Sequence, residues 1–261
     1  VDWTWAFQRQ WLFYKLWGRL LYDPKTPDDL FQAEFNRRYG SKGDHLLQAY
    51  ALASNTQLRL ASLYDSKWDF TLYSEGFLAL QGDTTKYISV ERLIEQPTMA
   101  SDYVSVKEYV EKTLKGETFN NECFTPNKLA EMLEKDNCEA LRLVENIDVS
   151  GNASLRYEVA DIKVWAYLGL HLSEKLRGAI ALQTYRLQGR LQDEAIEHLK
   201  NALNYWDKVI EITRPIYLDM RLTHYNHNSF TANDHNFFHW ALLRDQVAKD
   251  VAIAIAGKKQ D

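Results

Sequence analysis

The hydrophobic positions of this chain recur mostly at helical spacing. Between residues 3 and 21, large apolar residues return every three or four positions, which is typical of one face of an α-helix. The aromatic members of this face are Trp3, Phe7, Trp11, Tyr14 and Trp17. Further apolar residues widen the face, so this first helix is expected to be buried. Helical patterns of the same kind cover residues 26–39, 41–64, 105–115 and 125–147.

The second half of the chain contains the longest helical pattern. Residues 155–187 are apolar on several faces, which predicts a central helix. An amphipathic stripe covers residues 195–210, and a last helix is expected over residues 237–256. Residues 65–83 fit either a short strand or an irregular loop, and we predict a loop. The sequence therefore predicts an all-α fold, a bundle or array of about seven to nine helices around one long helix.

The clearest break in the pattern is Ser150-Gly151-Asn152, a cluster of turn-forming residues. It divides the chain into an N-terminal helical subdomain, residues 1–149, and a C-terminal one, residues 150–261. The two parts could also form one continuous domain. Helix starts before the break are marked by Ser105 with a glutamate three residues later and by Thr125 before a proline.

Composition and charge narrow the classes of protein. Eleven glycines and five prolines among 261 residues are about half the usual share, which argues against sandwiches and barrels with many turns. The net charge is −5 and no stretch concentrates Lys and Arg, so a nucleic-acid partner is not expected. The longest aliphatic run, residues 251–256, is far shorter than the roughly 20 residues of a membrane span.

Four of the seven histidines fall between residues 224 and 239, in a polar stretch. Their spacing of three and four suits metal ligands on a helix. No cysteine or carboxylate cluster accompanies them, so hydrogen-bonding roles are favoured, and no metal or cofactor is predicted. Histidine, asparagine and tyrosine offer both donors and acceptors to hydroxyl-rich ligands. The candidate substrate contacts here are His224, Tyr225, His227, Asn228 and His235.

Three tryptophans with polar neighbours, Trp3, Trp5 and Trp68, are candidates for stacking against sugar rings. The acids between residues 65 and 83 are expected to be solvated. The sequence contains no Gly-rich phosphate loop, no Gly-x-Ser-x-Gly elbow and no His-Glu-x-x-His motif. We therefore predict no catalytic residue in this chain.

One segment carries a resemblance to a known family. Residues 11–24 hold a Trp-rich helix followed by W-G-R-L-L-Y-D-P, and residues 35–40 read F-N-R-R-Y-G. This resembles the region just beyond the catalytic (β/α)8 barrel in large bacterial polysaccharide-degrading glycoside hydrolases of the alpha-glucuronidase-like and N-acetylhexosaminidase-like groups. Residues 157–162, 175–179 and 238–240 look like later parts of such C-terminal helical domains. The barrel itself is not in this chain, so no catalytic acid can be carried over.

The resemblance implies a helical accessory domain of a carbohydrate-active enzyme, which packs on the barrel of its parent protein and edges its substrate cleft. Its partners would be that barrel and an oligosaccharide, and its compartment the periplasm or the exterior. Because the chain begins with Val1 rather than Met, we expect a processed protein or a part of a longer one. The alternative is a free-standing helical protein-interaction module. The glycine and alanine placement from residue 168 to residue 202 loosely resembles tetratricopeptide hairpins.

Overall fold

In the computed structural model, which describes residues 3–65, 76–81, 84–221 and 237–258, α-helices carry most of the chain. The helices are α1 Ala6–Arg9, α2 Trp11–Tyr22, α3 Asp28–Tyr39, α4 Leu46–Leu63, α5 Val90–Glu95, α6 Val106–Leu114, α7 Pro126–Val144, α8 Ala153–Gln188, α9 Gln192–Thr213 and α10 Arg244–Ala256. Two short antiparallel pairs join strands β1 Leu78–Gln81 with β2 Thr84–Tyr87, and β3 Met220–Arg221 with β4 Phe237–Phe238. Short 3₁₀ helices occupy Gly40–Gly43 and Trp240–Leu243.

The expected all-α class is confirmed. Of the ten α-helices within the described ranges, eight have seven residues or more, and α8 is 36 residues long. Residues from α8 belong to both of the large apolar clusters of the fold, as expected of a central helix. One cluster packs α8 against α9 and α10, through residues such as Leu176, Trp206 and Val247. The other packs α8 against α2, α3 and α4, and includes Phe35 and Ile162.

Two helix starts are fixed by side-chain caps that the sequence predicted. The Thr125 hydroxyl accepts a hydrogen bond from the backbone N–H of Lys128 at 3.3 Å, with Pro126 in the first turn of α7. The Ser105 hydroxyl accepts one from the backbone N–H of Glu108 at 3.2 Å, at the start of α6. Each cap satisfies a donor that the first helical turn leaves without a partner.

The prediction of one buried helix over residues 3–21 is wrong in two respects. The segment breaks at Gln10, between α1 and α2. Only Trp11 of α2 is buried, while Phe13 and Trp17 are 51% and 60% exposed. The physical reason is that α2 contacts the rest of the described chain along the narrow face that contains Trp11, whereas its opposite face is left open.

Two further boundaries differ from the predictions. Residues 78–81 form β1 rather than a loop, because Leu78 and Ala79 bury their side chains in the core while the backbone pairs with β2. The last helix begins at Arg244 rather than Phe237. Phe238 is instead extended and pairs with β3, and the His239 ring accepts a hydrogen bond from the backbone N–H of Ala241 at 3.0 Å, which starts a 3₁₀ turn.

Gly169 marks a close crossing of α8 with α4 and α7. A Cβ atom at this position would collide with the Asn137 side chain and would lie 2.6 Å from the Thr56 hydroxyl. Asn137 and Thr56 are themselves buried and lie within hydrogen-bonding distance of each other, at 3.5 Å. The three helices can therefore approach this closely only with glycine at position 169.

We expect Gly169→Ala to destabilise the fold, because an inserted methyl group costs a well-packed crossing about 1–3 kcal/mol. Urea-induced unfolding followed by circular dichroism measures this change. Gly18→Ala is the matched control, since no atom lies within 4 Å of a Cβ there and alanine is the better helix former. Equal unfolding midpoints for Gly169→Ala and the unmodified chain would contradict the close crossing.

Candidate functional site

A groove of about 720 Å³ opens between the N-terminal segment, α2 and α3, and we call it the N-terminal groove. One of its walls is aromatic and consists of Trp3, Phe7, Trp11 and Tyr14. The other wall is charged and consists of Lys15, Glu34, Arg37 and Arg38. Its volume lies within the range of about 300–1,000 Å³ that is usual for small-ligand sites.

Trp11 forms the base of the groove and holds α2 in place. Its indole N–H donates a hydrogen bond to Glu158 Oε1 at 2.8 Å, across to α8. Its ring meets Phe35 of α3 edge-on, with 4.8 Å between the ring centroids. One side chain thus fixes the relative positions of α2, α3 and α8, and only its outer surface faces the groove.

Glu158 lies beneath the groove as a buried carboxylate with a full set of partners. Besides Trp11, Tyr39 donates a hydrogen bond to its Oε1 at 3.0 Å and Tyr50 donates to its Oε2 at 2.5 Å. Burial, and then the negative charge of Glu158, raise the pKa of Tyr50 well above its usual range. Both carboxylate oxygens are therefore occupied, and the geometry makes Glu158 a structural anchor.

Arg9 ties α1 to the middle of the fold. Its guanidinium donates a hydrogen bond to Asp161 of α8, whose other oxygen accepts from the Tyr217 hydroxyl at 2.5 Å. Burial raises the pKa of Asp161, and the charge of Arg9 opposes this rise. Arg9 also lies over the rings of Trp3 and Tyr157, at 6.0 and 5.6 Å from their centroids. The ion pair thus helps to position Trp3 in the aromatic wall of the groove.

We expect Arg9→Gln to loosen the N-terminal segment while the rest of the fold stays intact. The change leaves the half-buried Asp161 carboxylate without its cation, and that loss weakens the docking of α1 and α2. Hydrogen exchange measured by mass spectrometry should speed up at least tenfold over residues 3–22, equivalent to about 1.4 kcal/mol of local opening. Arg19→Gln, on the exposed side of α2, serves as control. Unchanged exchange in Arg9→Gln would contradict the tether.

Three cationic side chains and one carboxylate form the charged wall of the groove. Lys15 donates to Glu34 Oε1 at 2.7 Å and Arg37 donates to Oε2 at 2.9 Å. These hydrogen bonds lower the pKa of Glu34 to about 2. Arg38 lies over the Trp11 ring, with its guanidinium carbon 4.2 Å from the centroid. Among the residues that the structure describes, Arg38 has no carboxylate within 4 Å.

The opposite face of α2 is apolar and open. Phe13, Trp17, Leu20 and Leu21 fall within about 100° of the helix circumference, at about 100° per residue, and we call them the outer strip. Leu21 is 76% exposed, and the rings of Phe13 and Trp17 lie 5.4 Å apart. The centre of the strip is about 130° from Trp11. The strip and the N-terminal groove nevertheless adjoin, because Tyr14 of the groove contacts Phe13 of the strip, with 5.3 Å between the ring centroids.

A second buried polar cluster lies far from the groove along α8. Lys175 donates to Asp250 of α10 and to the Tyr87 hydroxyl, and Tyr87 lies 3.4 Å from His171 Nε2. Burial, and then the charge of Lys175, lower the pKa of His171 to about 3. All four side chains are buried, and Val90 caps the set by donating its N–H to Asp250 at 2.8 Å. The hydrogen bonds of this cluster therefore hold α8, α10 and the start of α5 together.

The structure describes two of the eight site residues that the sequence predicted, Trp3 and Trp5. Trp3 lies in the aromatic wall, packed edge-on against Tyr157 at 5.1 Å. Trp5 is 61% exposed and does not line the groove. The remaining candidates, Trp68, His224, Tyr225, His227, Asn228 and His235, lie outside the described residues. Whether Trp3 and Trp5 contact a substrate stays a prediction.

Sequence reasoning missed the residues that build the groove. Glu158 and Asp161 are spaced three apart inside an otherwise apolar helical pattern, and such acids on a buried face were the available signal. Arg9 and Arg38 carry no comparable signal. In the part of the chain that the structure describes, no group of three His, Cys, Asp or Glu side chains could hold a metal ion. No described helix is both long and apolar enough to cross a membrane.

The described residues form an array of helices, and a comparison with solved structures finds a similar fold. The chain is similar to part of a GH138 enzyme targeting pectin rhamnogalacturonan II, with a TM-score of 0.70 and 14% sequence identity. The similarity covers 97% of this chain but 32% of that one, so this chain spans about a third of its neighbour. At this identity the likeness establishes the fold alone. No family model and no curated protein matches the sequence.

Proposed function

We propose that this chain is a helical accessory domain of a glycoside hydrolase, and that the outer strip packs on the catalytic barrel of the same parent protein. The observation that carries the proposal is the exposure of Phe13, Trp17 and Leu21 on one face of α2. Soluble proteins rarely leave such a contiguous apolar surface open unless another surface covers it. The other face of α2 is already satisfied by α3 and α8, so the strip is free to dock.

The fold supports the part of this proposal that concerns a parent glycoside hydrolase. The structural neighbour is a glycoside hydrolase, and two thirds of its length lies outside the matched region. The W-G-R-L-L-Y-D-P segment that resembles the region beyond a catalytic barrel occupies residues 17–24, which overlap the outer strip. The docking face and the family-like segment thus coincide, which favours a barrel over an unrelated partner.

The proposal places the catalytic acids in the parent's barrel rather than in this chain. Glu158 and Asp250 are buried and Asp161 is half-buried. Each accepts a hydrogen bond from another helix, Glu158 from Trp11, Asp161 from Arg9 and Asp250 from Lys175. A glycosidase pair needs two carboxyl groups that flank an open substrate bond, which buried acids with a full set of partners do not provide. The role of this chain would be to stabilise the barrel and to edge its cleft with the N-terminal groove. A bacterial periplasmic or extracellular protein remains part of this proposal.

The first experiment is the intact mass of the natural gene product from its native source. We expect a mass far above 30.5 kDa, with alternating strands and helices before the segment that resembles the post-barrel region. A natural product of 261 residues would overturn the accessory role. In that case the outer strip would be the docking surface of a free-standing interaction module instead.

A further inference from the structure

His171 is a fully buried histidine on the face of α8 that meets α9 and the β1–β2 pair. Its Nδ1 donates a hydrogen bond to the carbonyl oxygen of Ala202 in α9 at 2.9 Å, because a carbonyl oxygen can only accept. Its ring meets Phe77 and Trp206 edge-on, with 4.8 and 5.0 Å between the ring centroids. The hydrogen bond to Ala202 therefore keeps the proton of the neutral ring on Nδ1 and leaves Nε2 as an acceptor.

Nε2 faces the buried polar cluster of Lys175, Asp250 and Tyr87. The Tyr87 hydroxyl lies 3.4 Å from Nε2 and accepts a hydrogen bond from the Lys175 ammonium at 2.7 Å. Lys175 lies one helical turn from His171 on α8, and its charge is paired with that of Asp250. The hydrogen bonds of the described residues bring no other charged side chain to this cluster, which is therefore neutral while His171 is neutral.

A second proton on the ring would place an uncompensated charge in the core. Among the described residues, α9 and the residue before β1 present to the ring two aromatic side chains and one backbone carbonyl, and no carboxylate. From α10 comes Asp250, whose charge already balances that of Lys175. Burial, and then the charge of Lys175, therefore lower the pKa of His171 to about 3, whereas a histidine in an unfolded chain titrates near about 6.5.

The direction of the pH dependence follows from this difference in pKa. Between about pH 6.5 and about pH 3, the unfolded chain binds a proton at His171 and the folded chain does not. The state that binds more protons is favoured as the pH falls, so the contribution of His171 to stability is complete above this window and is lost within it. The loss is about tenfold in the unfolding equilibrium constant for each pH unit.

We propose that His171 and its partners form an acid-sensitive latch, in which protonation of Nε2 releases α9 and the β1–β2 pair from α8. An imidazolium is not stable in a cluster whose single carboxylate is already paired, so the ring moves to solvent and gives up its contacts with Ala202, Phe77 and Trp206. The apolar cluster that packs α8 against α2 and α3 is separate and takes no part in the latch. This inference goes beyond the proposed accessory role and does not depend on it.

The test compares the 261-residue chain with its His171→Asn variant at pH 7 and pH 5. Asparagine places an amide N–H near the position of Nδ1, so it can still donate to Ala202, but it cannot take up a proton. In the unmodified chain, hydrogen-exchange protection of residues 192–213, corrected for the intrinsic exchange rate, should fall at least tenfold from pH 7 to pH 5. Residues 28–39 should keep their protection, and His171→Asn should keep it in both segments. His45→Asn replaces an exposed histidine and is the matched control, which should behave as the unmodified chain.

Three results would overturn the inference. These are unchanged protection of residues 192–213 at pH 5, an equal loss in the unmodified chain and in His171→Asn, and an equal loss over residues 28–39, which would mean that acid unfolds the whole chain. Ring nitrogen NMR spectra of the unmodified chain give a second test that needs no folded variant. At pH 5 the histidine ring that contacts Trp206 should be neutral, with its proton on Nδ1. A protonated ring at that position in the folded chain would contradict the latch.

Discussion

Replacing Lys175 with methionine is expected to destabilise the protein by about 3–5 kcal/mol, the usual consequence of removing one partner of a buried ion pair. Lys175 is fully buried and donates to both Asp250 and Tyr87. Its removal leaves the Asp250 carboxylate in the core, with the hydrogen bonds from Val90 and Tyr87 as its remaining stabilisation. Because Asp250 is on α10 and Tyr87 on β2, the loss also weakens the docking of both elements on α8.

Urea unfolding, read by circular dichroism, measures this effect, and a double variant separates its causes. Lys175→Met with Asp250→Leu removes both charges and should recover part of the lost stability, because paired apolar residues often replace a buried ion pair with little loss. The recovery should be incomplete, because the buried N–H of Val90 loses its acceptor. Lys208→Met is the matched control. It breaks an exposed lysine–glutamate pair on α9 and should leave the unfolding midpoint unchanged. A change below about 1 kcal/mol in Lys175→Met would show that the pair is not a structural anchor.

Periodicity was sufficient to predict the longer helices and their order, because amphipathic helices repeat their apolar positions locally. The central helix, predicted over residues 155–187, is Ala153–Gln188 in the structure, and the caps at Thr125 and Ser105 lie where the sequence placed them. These features depend on residues within a few positions of one another. Patterns formed by such neighbouring residues can be recognised directly in the sequence.

The groove and the buried clusters could not be predicted in the same way. Arg9 meets Asp161 across 152 positions, and Lys175 meets Asp250 across 75. Such pairs arise from the tertiary arrangement of helices and leave no local spacing to detect. The same limit explains the wrong expectation for the first helix. The sequence shows that this helix is apolar over much of its circumference. It does not show which part of that surface the rest of the chain covers.

The exposed outer strip gives the second prediction of a large change in stability. In the longer parent protein that we propose, Trp17→Ala is expected to cost about 3–5 kcal/mol, the usual cost of removing a buried tryptophan side chain. In the 261-residue chain the same change should have little effect, because Trp17 is already 60% exposed there. The difference between the two forms is the signature of a docking face. Thermal unfolding of both forms, with and without the substitution, measures it.

Leu58→Ala provides the control for this comparison. Leu58 is 66% exposed on α4, away from the outer strip, so its removal should change neither form appreciably. If Trp17→Ala and Leu58→Ala have equally small effects in the complete protein, the outer strip does not pack on a barrel. A large effect confined to Trp17 in the complete protein would instead mean that the exposed aromatic face of α2 is an internal interface. The openness of that face in this chain would then follow from the absence of the surface that covers it.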